Sequence, residues 1–275
     1  MPKLCARPVT LGLSVVTYIG AAVALDGSVA ERLPLVPNMG VQLATSFVGV
    51  VAPGGALALT GRFLQKRGVD TPTAVAAVGV DTLAGVIVHL VLTALFFGLA
   101  GVSGLGTFDR PSVGTLALVG VGIAAVAVVG VALPWSRSLL VTHVLPATRR
   151  SIASVGDIAR QPAKMIELFG GSAIITMGYI TALAASVEAV IPSGGGPAFT
   201  SVALVYLVGT VVSSIAPTPG GIGAVEAALI AGLTAAGMPS TTAVAAVILF
   251  RLATFWLPLM PGWAALVLLQ RSDDL

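Results

Sequence analysis

The stretch Ala216-Pro-Thr-Pro-Gly-Gly-Ile-Gly-Ala-Val-Glu226 places two prolines, three glycines and one carboxylate between apolar segments. Prolines and glycines at this density interrupt a helix. Lipid hydrocarbon cannot hydrogen-bond an interrupted backbone, so such a chain persists only where protein or a water-filled cavity covers it. The stretch is therefore predicted to be a break within the membrane that leads into a short helix and forms part of a binding site.

The composition of the whole chain indicates a polytopic membrane protein of the all-α class. Hydrophobic residues make up 56% of the chain and charged residues 9%, whereas soluble domains carry roughly 25% charged residues. The net charge of +3 is interpreted as a sign of membrane orientation rather than of nucleic-acid binding, because aromatic and basic residues are not interleaved. Cys5 is the single cysteine, which excludes an intrachain disulfide.

The apolar runs predict one membrane domain, residues 1–275, with about seven to eight transmembrane helices. The predicted spans are 9–25, 36–52, 72–100, 113–134, 168–191, 199–217, 240–257 and 258–270. Two shorter elements, 53–66 and 219–236, each begin at a Pro-Gly-Gly and are predicted to be re-entrant or broken helices. Pro258 and Pro261 leave open whether the last two spans form one kinked helix.

The charges of the loops predict the sides of the membrane on which they lie. Residues 135–167 are rich in basic side chains and are expected to form a cytoplasmic amphipathic connector, with a plain solvated linker as the alternative. Residues 62–67 are basic as well and are expected on the same side. Loops 26–35 and 191–198 have no positive excess and are expected outside. This arrangement places both termini in the cytoplasm and the protein in the plasma membrane.

Two parts of the chain, residues 36–100 and 199–257, share one order of motifs. Each contains a span, a Pro-Gly-Gly, a short helix, a glycine turn and a further span, and Thr71-Pro-Thr-Ala-Val-Ala-Ala-Val78 resembles Ser240-Thr-Thr-Ala-Val-Ala-Ala-Val247. Broken segments at corresponding places in two halves point to the central site of a transporter. The span count predicts that the two repeats have the same orientation, and they become inverted if one predicted span does not cross.

Charged residues in the apolar stretches, together with the proline and glycines beside one of them, are the candidate substrate-binding residues: Arg62, Asp81, Pro219, Gly220, Gly221, Gly223, Glu226 and Arg251. An unpaired charge at a helix centre costs about 2.5–3.5 kcal/mol. The four charges are therefore expected to face a shared cavity, with structural ion pairs as the alternative. Backbone N–H groups at a new helix N-terminus attract anions such as a lipid phosphate. Glu188 is expected to snorkel, and His89 to make a helix–helix hydrogen bond.

The stretch from Pro217 to Glu226, followed by Gly237 and Arg251, resembles the signature of the lysylphosphatidylglycerol synthetase transmembrane family. Ala52-Pro-Gly-Gly55 with Arg62 and Asp81 is similar to that family's first-half motif. The resemblance covers residues 10–270 and implies a flippase-like integral membrane protein. In bifunctional members, this module moves an aminoacylated phospholipid between leaflets and a cytosolic domain makes that lipid. The chain ends at Leu275, so a stand-alone member without the aminoacyltransferase domain is expected.

Together these observations predict a translocator of a phospholipid or lipid-linked headgroup, with membrane phospholipid as its partner and without a cofactor, a metal or nucleic acid. One alternative is a non-catalytic membrane partner of a separate lipid synthase or glycosyltransferase, docked through Arg149 and Arg150. Another is an intramembrane lipid-modifying enzyme. That alternative is disfavoured, because the sequence has no His-x-x-x-His motif, no Asp-rich metal motif and no Ser–His pairing.

Overall fold

The computed structural model describes residues 3–52, 54–102, 160–191, 195–214, 218–272 and 274–275. Within these ranges the chain is helical and contains no strand, which confirms the predicted all-α membrane class. Three of the described helices are long and apolar enough to cross a membrane, Thr71–Ala100, Pro162–Val190 and Ser240–Arg271. The predicted span 113–134, most of the connector 135–167, and the docking candidates Arg149 and Arg150 lie outside the described residues.

The helices in chain order are α1 (Lys3–Gly27), α2 (Leu35–Val51), α3 (Gly55–Lys66), α4 (Thr71–Val102), α5 (Pro162–Val190), α6 (Phe199–Ser214), α7 (Ala224–Ala235), α8 (Ser240–Arg251) and α9 (Leu257–Arg271). A 3-10 turn, Pro219–Gly221, precedes α7. A π-helical turn, Leu252–Trp256, joins α8 to α9. The predicted spans 240–257 and 258–270 are therefore one continuous helix. Pro258 has no N–H to donate to the preceding turn, and the π turn lies directly before it.

Helices α1 and α5 pack against each other in antiparallel directions with their backbones in contact. A Cβ added at Gly171 would meet the backbone nitrogen of Ala24 and, at 2.6 Å, the carbonyl oxygen of Gly20. Further along α1, a Cβ added at Gly27 would meet the backbone of Leu168. Small residues allow this close approach, which is a main source of attraction between helices in lipid.

Ion pairs gather three loops and the C-terminus at one end of the molecule. Lys164 donates to the backbone oxygen of Asp26 at 2.8 Å and to its carboxylate at 3.1 Å. Arg67 pairs with Asp274, and Ser28, Glu31, Gly68 and Asp70 line one cavity. We name this the basic end, because Arg67, Lys164 and Arg271 lie there, and we name the opposite end the far end.

One expectation about sidedness is corrected by these contacts. Loop 26–35 and residues 160–167 lie at the same end, because Lys164 binds Asp26. Helix α1 has 25 residues, a length of about 37 Å, and it ends at the basic end, so Lys3 lies toward the far end of the bundle.

Helices α2 and α3 form a hairpin that starts at the basic end and returns to it. Gly49 of α2 faces Ala56 of α3 near the turn, and Phe63 and Leu64 pack with Val41 in one core. The turn passes through Gly54 at φ +76°, a conformation that glycine adopts without strain. The predicted span 36–52 therefore does not cross to the far end.

Helices α6 and α7 form a second hairpin, which starts at the far end. Gly209 of α6 faces Leu229 of α7, and Gly232 faces Val205, so the two helices are antiparallel. Phe199, at the start of α6, lies against Phe96 near the end of α4, with ring centroids 6.0 Å apart. The two hairpins therefore start from opposite ends of the described bundle.

The long helices that follow the two hairpins also run in opposite directions. Helix α4 leaves the basic end after residue 70 and reaches the far end, where it contacts α6. Helix α8 starts at the far end, and α9 continues to the basic end along α2, where a Cβ at Gly262 would lie 2.6 Å from the carbonyl oxygen of Leu43. Among the described helices, α1 and the continuous helix α8–α9 run toward the basic end, whereas α4 and α5 run away from it.

We expect Gly171→Ala to destabilise the protein, because the added methyl group has no space between α5 and α1. Overpacking of this kind costs about 1–3 kcal/mol. The matched control is Gly170→Ala, since a Cβ at Gly170 meets nothing within 4 Å. The measurement is the thermal unfolding temperature of the purified protein in detergent. Equal unfolding temperatures for the two variants would contradict the described packing of α1 on α5.

Candidate functional site

The turn between α6 and α7 requires glycine at three positions. Gly220, Gly221 and Gly223 have φ values of +62°, +67° and +84°, and residues with a Cβ are strained there. A Cβ added at Gly220 would lie 2.7 Å from the Phe255 ring and 3.3 Å from the Val50 side chain. Because Val50 is next to the last residue of α2, the tips of the two hairpins meet at Gly220.

An ion pair between Glu226 and Arg251 holds this turn together. The Arg251 Nε donates to Glu226 Oε1 at 2.6 Å, and its Nη2 donates to the carbonyl oxygen of Gly220 at 3.1 Å. The second carboxylate oxygen of Glu226 accepts the backbone N–H of Gly223 at 2.7 Å. Arginine and glutamate therefore satisfy one carbonyl and one N–H that the helix break leaves without helical partners.

The guanidinium of Arg251 is also packed against an aromatic ring. Its Cζ lies 4.0 Å from the ring centroid of Phe255, within the range of a cation–π interaction. The side chain of Arg251 is 9% exposed and that of Glu226 is 24% exposed. Sequence reasoning missed Phe255, although its spacing of four residues from Arg251 was the available signal for a shared helix face.

The carboxylate of Glu226 occupies the N-terminus of α7. Glu226 lies in the first turn of α7, where the helix dipole stabilises a negative charge. Its carboxylate takes the Gly223 N–H that the sequence suggested for a lipid phosphate. Glu226 and Arg251 therefore form an ion pair with each other, and an incoming phosphate would have to exchange with Glu226.

The eight candidate residues do not form one cluster. The structure brings together Glu226, Arg251 and the turn from Pro219 to Gly223. Arg62 is exposed on α3 and Asp81 is half-buried on α4, and neither bonds to the Glu226–Arg251 pair. Within the described residues, the four charges are therefore not joined by hydrogen bonds into one cluster.

An aromatic cluster packs around Phe250, the residue before Arg251. Tyr179 of α5, Tyr206 of α6 and Phe250 of α8 have ring centroids 6.0 to 6.4 Å apart. Phe250 is the residue before Arg251, so the cluster fixes the end of α8. Aromatic pairs of this geometry contribute about 0.5–1.5 kcal/mol beyond their buried area. Sequence reasoning did not identify this cluster, since its members come from three separated helices.

Two other titratable residues have the surroundings that were predicted. His89 of α4 makes a hydrogen bond of 2.9 Å between its Nε2 and the carbonyl oxygen of Leu207 in α6, which confirms a helix–helix bond. Glu188 is exposed near the far end of α5, as a snorkelling carboxylate would be. Among the residues searched, no group of three His, Cys, Asp or Glu side chains is placed to hold a metal ion.

Comparison with known protein families supports the resemblance. Residues 6–262 match the family model described as the lysylphosphatidylglycerol synthase TM region. The chain belongs to this family. A search of curated proteins found no match. Membership of the lysylphosphatidylglycerol synthase TM family makes the chain an integral membrane protein associated with lipid handling, and the matched region includes both hairpins and the Glu226–Arg251 pair.

We expect Glu226→Gln to lower the stability of the fold, because it leaves the buried guanidinium of Arg251 without its counter-charge. Breaking one partner of a buried ion pair costs about 3–5 kcal/mol, and the partial exposure of Glu226 places this change near the lower figure. The measurement is chemical or thermal unfolding in detergent. Glu188→Gln is the matched control, as it makes the same chemical change at an exposed position.

The double variant Glu226→Gln with Arg251→Gln completes a thermodynamic cycle. We expect it to be more stable than the sum of the two single changes predicts, because contacting residues are not additive. A Glu226→Gln variant as stable as Glu188→Gln, or a cycle with no coupling, would contradict the ion pair.

Proposed function

We propose that the protein moves a phospholipid, or a lipid-linked headgroup, between the two leaflets of the plasma membrane. The observation that carries the proposal is the meeting of two hairpin tips from opposite ends at Gly220 and Val50. A headgroup that reaches these tips from either leaflet has already travelled half of the distance it must cross. The membership of a family that handles lipids supports a lipid as the transported molecule.

Both tips expose backbone at a depth where lipid offers no hydrogen bonds. Helices α3 and α7 have 12 residues each, a length of about 18 Å, against a hydrocarbon core of about 30 Å. We therefore propose that both hairpins are re-entrant. Ala52 and Gly54 at one tip, and Gly220 and Gly223 at the other, are exposed. Exposed backbone at this depth indicates a water-filled groove, which a polar headgroup can enter.

We further propose that residues 36–100 and 199–257 are inverted repeats. The order of helix, hairpin and long helix is the same in α1 to α4 and in α5 to α9, with all directions reversed. Gly68 and Gly237 follow the two hairpins with φ values of +87° and +93°. Inverted repeats with broken helices at the membrane centre are typical of transporters, because each half can open the same site to one side.

Arg251 is the proposed contact for the lipid phosphate at the tips. A guanidinium binds phosphate with two parallel hydrogen bonds. Arg251 lies at the tip of the second hairpin, where it donates to the carbonyl oxygen of Gly220. A bound phosphate would replace Glu226 as the counter-ion, so the site would exchange one anion for another. Arg62 is exposed on α3, two turns beyond the tip of the first hairpin. We propose that it contacts the phosphate while the headgroup moves from the basic end to the tip, and that Asp81 of α4 lies beside this path.

We propose that the basic end lies in the cytoplasm. Lys66, Arg67, Arg160, Lys164 and Arg271 lie at this end, whereas the described loops at the far end carry no Lys or Arg. An excess of basic residues is typical of cytoplasmic segments. The C-terminus would then be cytoplasmic and Lys3 would lie outside.

The proposal is tested with purified protein in liposomes that contain phosphatidylglycerol with a fluorescent acyl chain. We expect dithionite to quench the inner-leaflet probe as well as the outer-leaflet probe when the protein is present. Arg251→Ala removes a charged hydrogen-bonding contact worth about 1.5–3 kcal/mol, so lipid movement should slow roughly tenfold to a hundredfold.

Two controls separate lipid movement from damage to the fold. Glu188→Gln should move lipid at the wild-type rate, and Arg251→Lys, which keeps the charge and loses the two-pronged geometry, should have an intermediate rate. Quenching restricted to the outer leaflet with folded wild-type protein would contradict the proposal. So would an Arg251→Ala rate equal to that of Glu188→Gln.

A further inference from the structure

Asp81 is a carboxylate on a membrane-crossing helix for which the structure provides no counter-charge. It lies ten residues after Thr71, about 15 Å along α4 from the basic end, and its side chain is half-buried. In the described ranges it makes no hydrogen bond and no ion pair. The neighbouring hydroxyl of Thr82 is used within the helix, where it donates to the carbonyl oxygen of Val78 at 2.8 Å.

Within the described residues, Asp81 lacks the counter-charge and the backbone donor that Glu226 has. The Glu226 carboxylate is neutralised by Arg251 and also accepts a backbone N–H. A carboxylate on a membrane helix without such a partner costs about 2.5–3.5 kcal/mol. In the described residues no neighbouring side chain balances a negative charge at Asp81. Binding a proton neutralises the carboxylate and so removes this energetic cost.

The charged groups whose side chains the structure describes, on the helices that pack against α4, are engaged elsewhere or lie away from Asp81; Lys3 and Arg7 are in the first two turns of α1, toward the far end. On α3, Arg67 pairs with Asp274, Arg62 is exposed and Lys66 lies in the last turn at the basic end. On α1 and α5, Asp26, Lys164 and Glu167 form one cluster at the basic end, and Glu188 lies toward the far end. Helix α6 carries no charged residue. On α4 itself, His89 is bound to the carbonyl oxygen of Leu207.

A cavity of about 230 Å³ at the basic end extends along the first turns of α4 as far as Val80, the residue before Asp81. Thr73, Ala76, Ala77 and Val80 of α4 form one wall, and their spacing of three and four residues places them on one helix face. Asp81 is four residues after Ala77 and therefore lies one turn deeper on the same side of α4. The cavity is large enough for several water molecules. Glu31 and Asp70 line its mouth, and both are acidic groups through which protons can pass.

We propose that Asp81 is a proton-binding site that exchanges protons with the basic end through this cavity. A proton needs one carboxylate oxygen, whereas a metal ion needs several ligands, and no group of three ligating side chains occurs in the residues searched. Proton binding makes the wall of α4 neutral, and proton release makes it negative. Proton binding at Asp81 does not require the lipid movement proposed above.

The test uses dicyclohexylcarbodiimide, a membrane-soluble reagent that modifies protonated carboxyl groups, on the full chain in lipid. Mass spectrometry of peptides reports which carboxylates are modified. We expect Asp81 to be modified near neutral pH and Glu226 not to be, because Arg251 keeps Glu226 ionised. Modification of Asp81 should fall at least about tenfold between about pH 5 and about pH 9, since the protonated fraction of a single group drops tenfold per pH unit above its midpoint.

The control variants address folding and reagent access. Asp81→Asn should lose the modified peptide and retain the thermal unfolding temperature, and Asp81→Glu should keep a pH-dependent modification. Absence of modification at Asp81 at every pH would overturn the proposal, and so would modification that does not change with pH. The outcome is independent of the liposome assay, because carbodiimide labelling is measured without any transported lipid.

Discussion

The structure depends on the bonds that Arg251 and Glu226 make to an interrupted backbone. Lipid requires every backbone polar group to be satisfied by the protein or by enclosed water, and the break at Pro219–Gly223 leaves such groups without helical partners. Arg251 takes the carbonyl of Gly220, and Glu226 takes the N–H of Gly223. The two side chains also neutralise each other. One ion pair therefore permits both the turn and its burial against Phe255 and Val50.

The packing of the other helices depends on their lengths and on small residues at their contacts. The antiparallel pair α1 and α5 forms a close backbone contact through Gly20, Gly27 and Gly171, and the ion pair between Lys164 and Asp26 joins the two helices at the basic end. Helices α3 and α7 have 12 residues each, and the tips of the two hairpins meet inside the bundle. Polar backbone from two directions is thus concentrated at one place, which is where a lipid headgroup would need it.

Much of this arrangement was predictable from sequence, because its signals are local. Composition indicated the all-α membrane class, the two Pro-Gly-Gly segments marked the two hairpin turns, and Glu226 and Arg251 were recognised as charges that needed partners. Sidedness was not predictable, since an apolar helix such as 36–52 has the same composition whether it crosses or turns back. The same error placed Asp26 and Lys164 on opposite sides. Phe255 was missed because a spacing of four residues from Arg251 places both on one helix face but does not by itself show that they are in contact.

The central claim is that the two hairpins enter from opposite ends, and cysteine accessibility tests it most directly. In a Cys5→Ser background, single cysteines replace Ala30 and Thr71, which flank the first hairpin, or Gly195 and Ser240, which flank the second; all four positions are exposed. A membrane-impermeant maleimide applied to sealed vesicles of known orientation should label Ala30→Cys and Thr71→Cys from one side, and Gly195→Cys and Ser240→Cys from the other. Labelling of Ala30→Cys and Thr71→Cys from opposite sides would contradict the account, because the chain from α2 to α3 would then make one net crossing of the membrane instead of returning to its starting side.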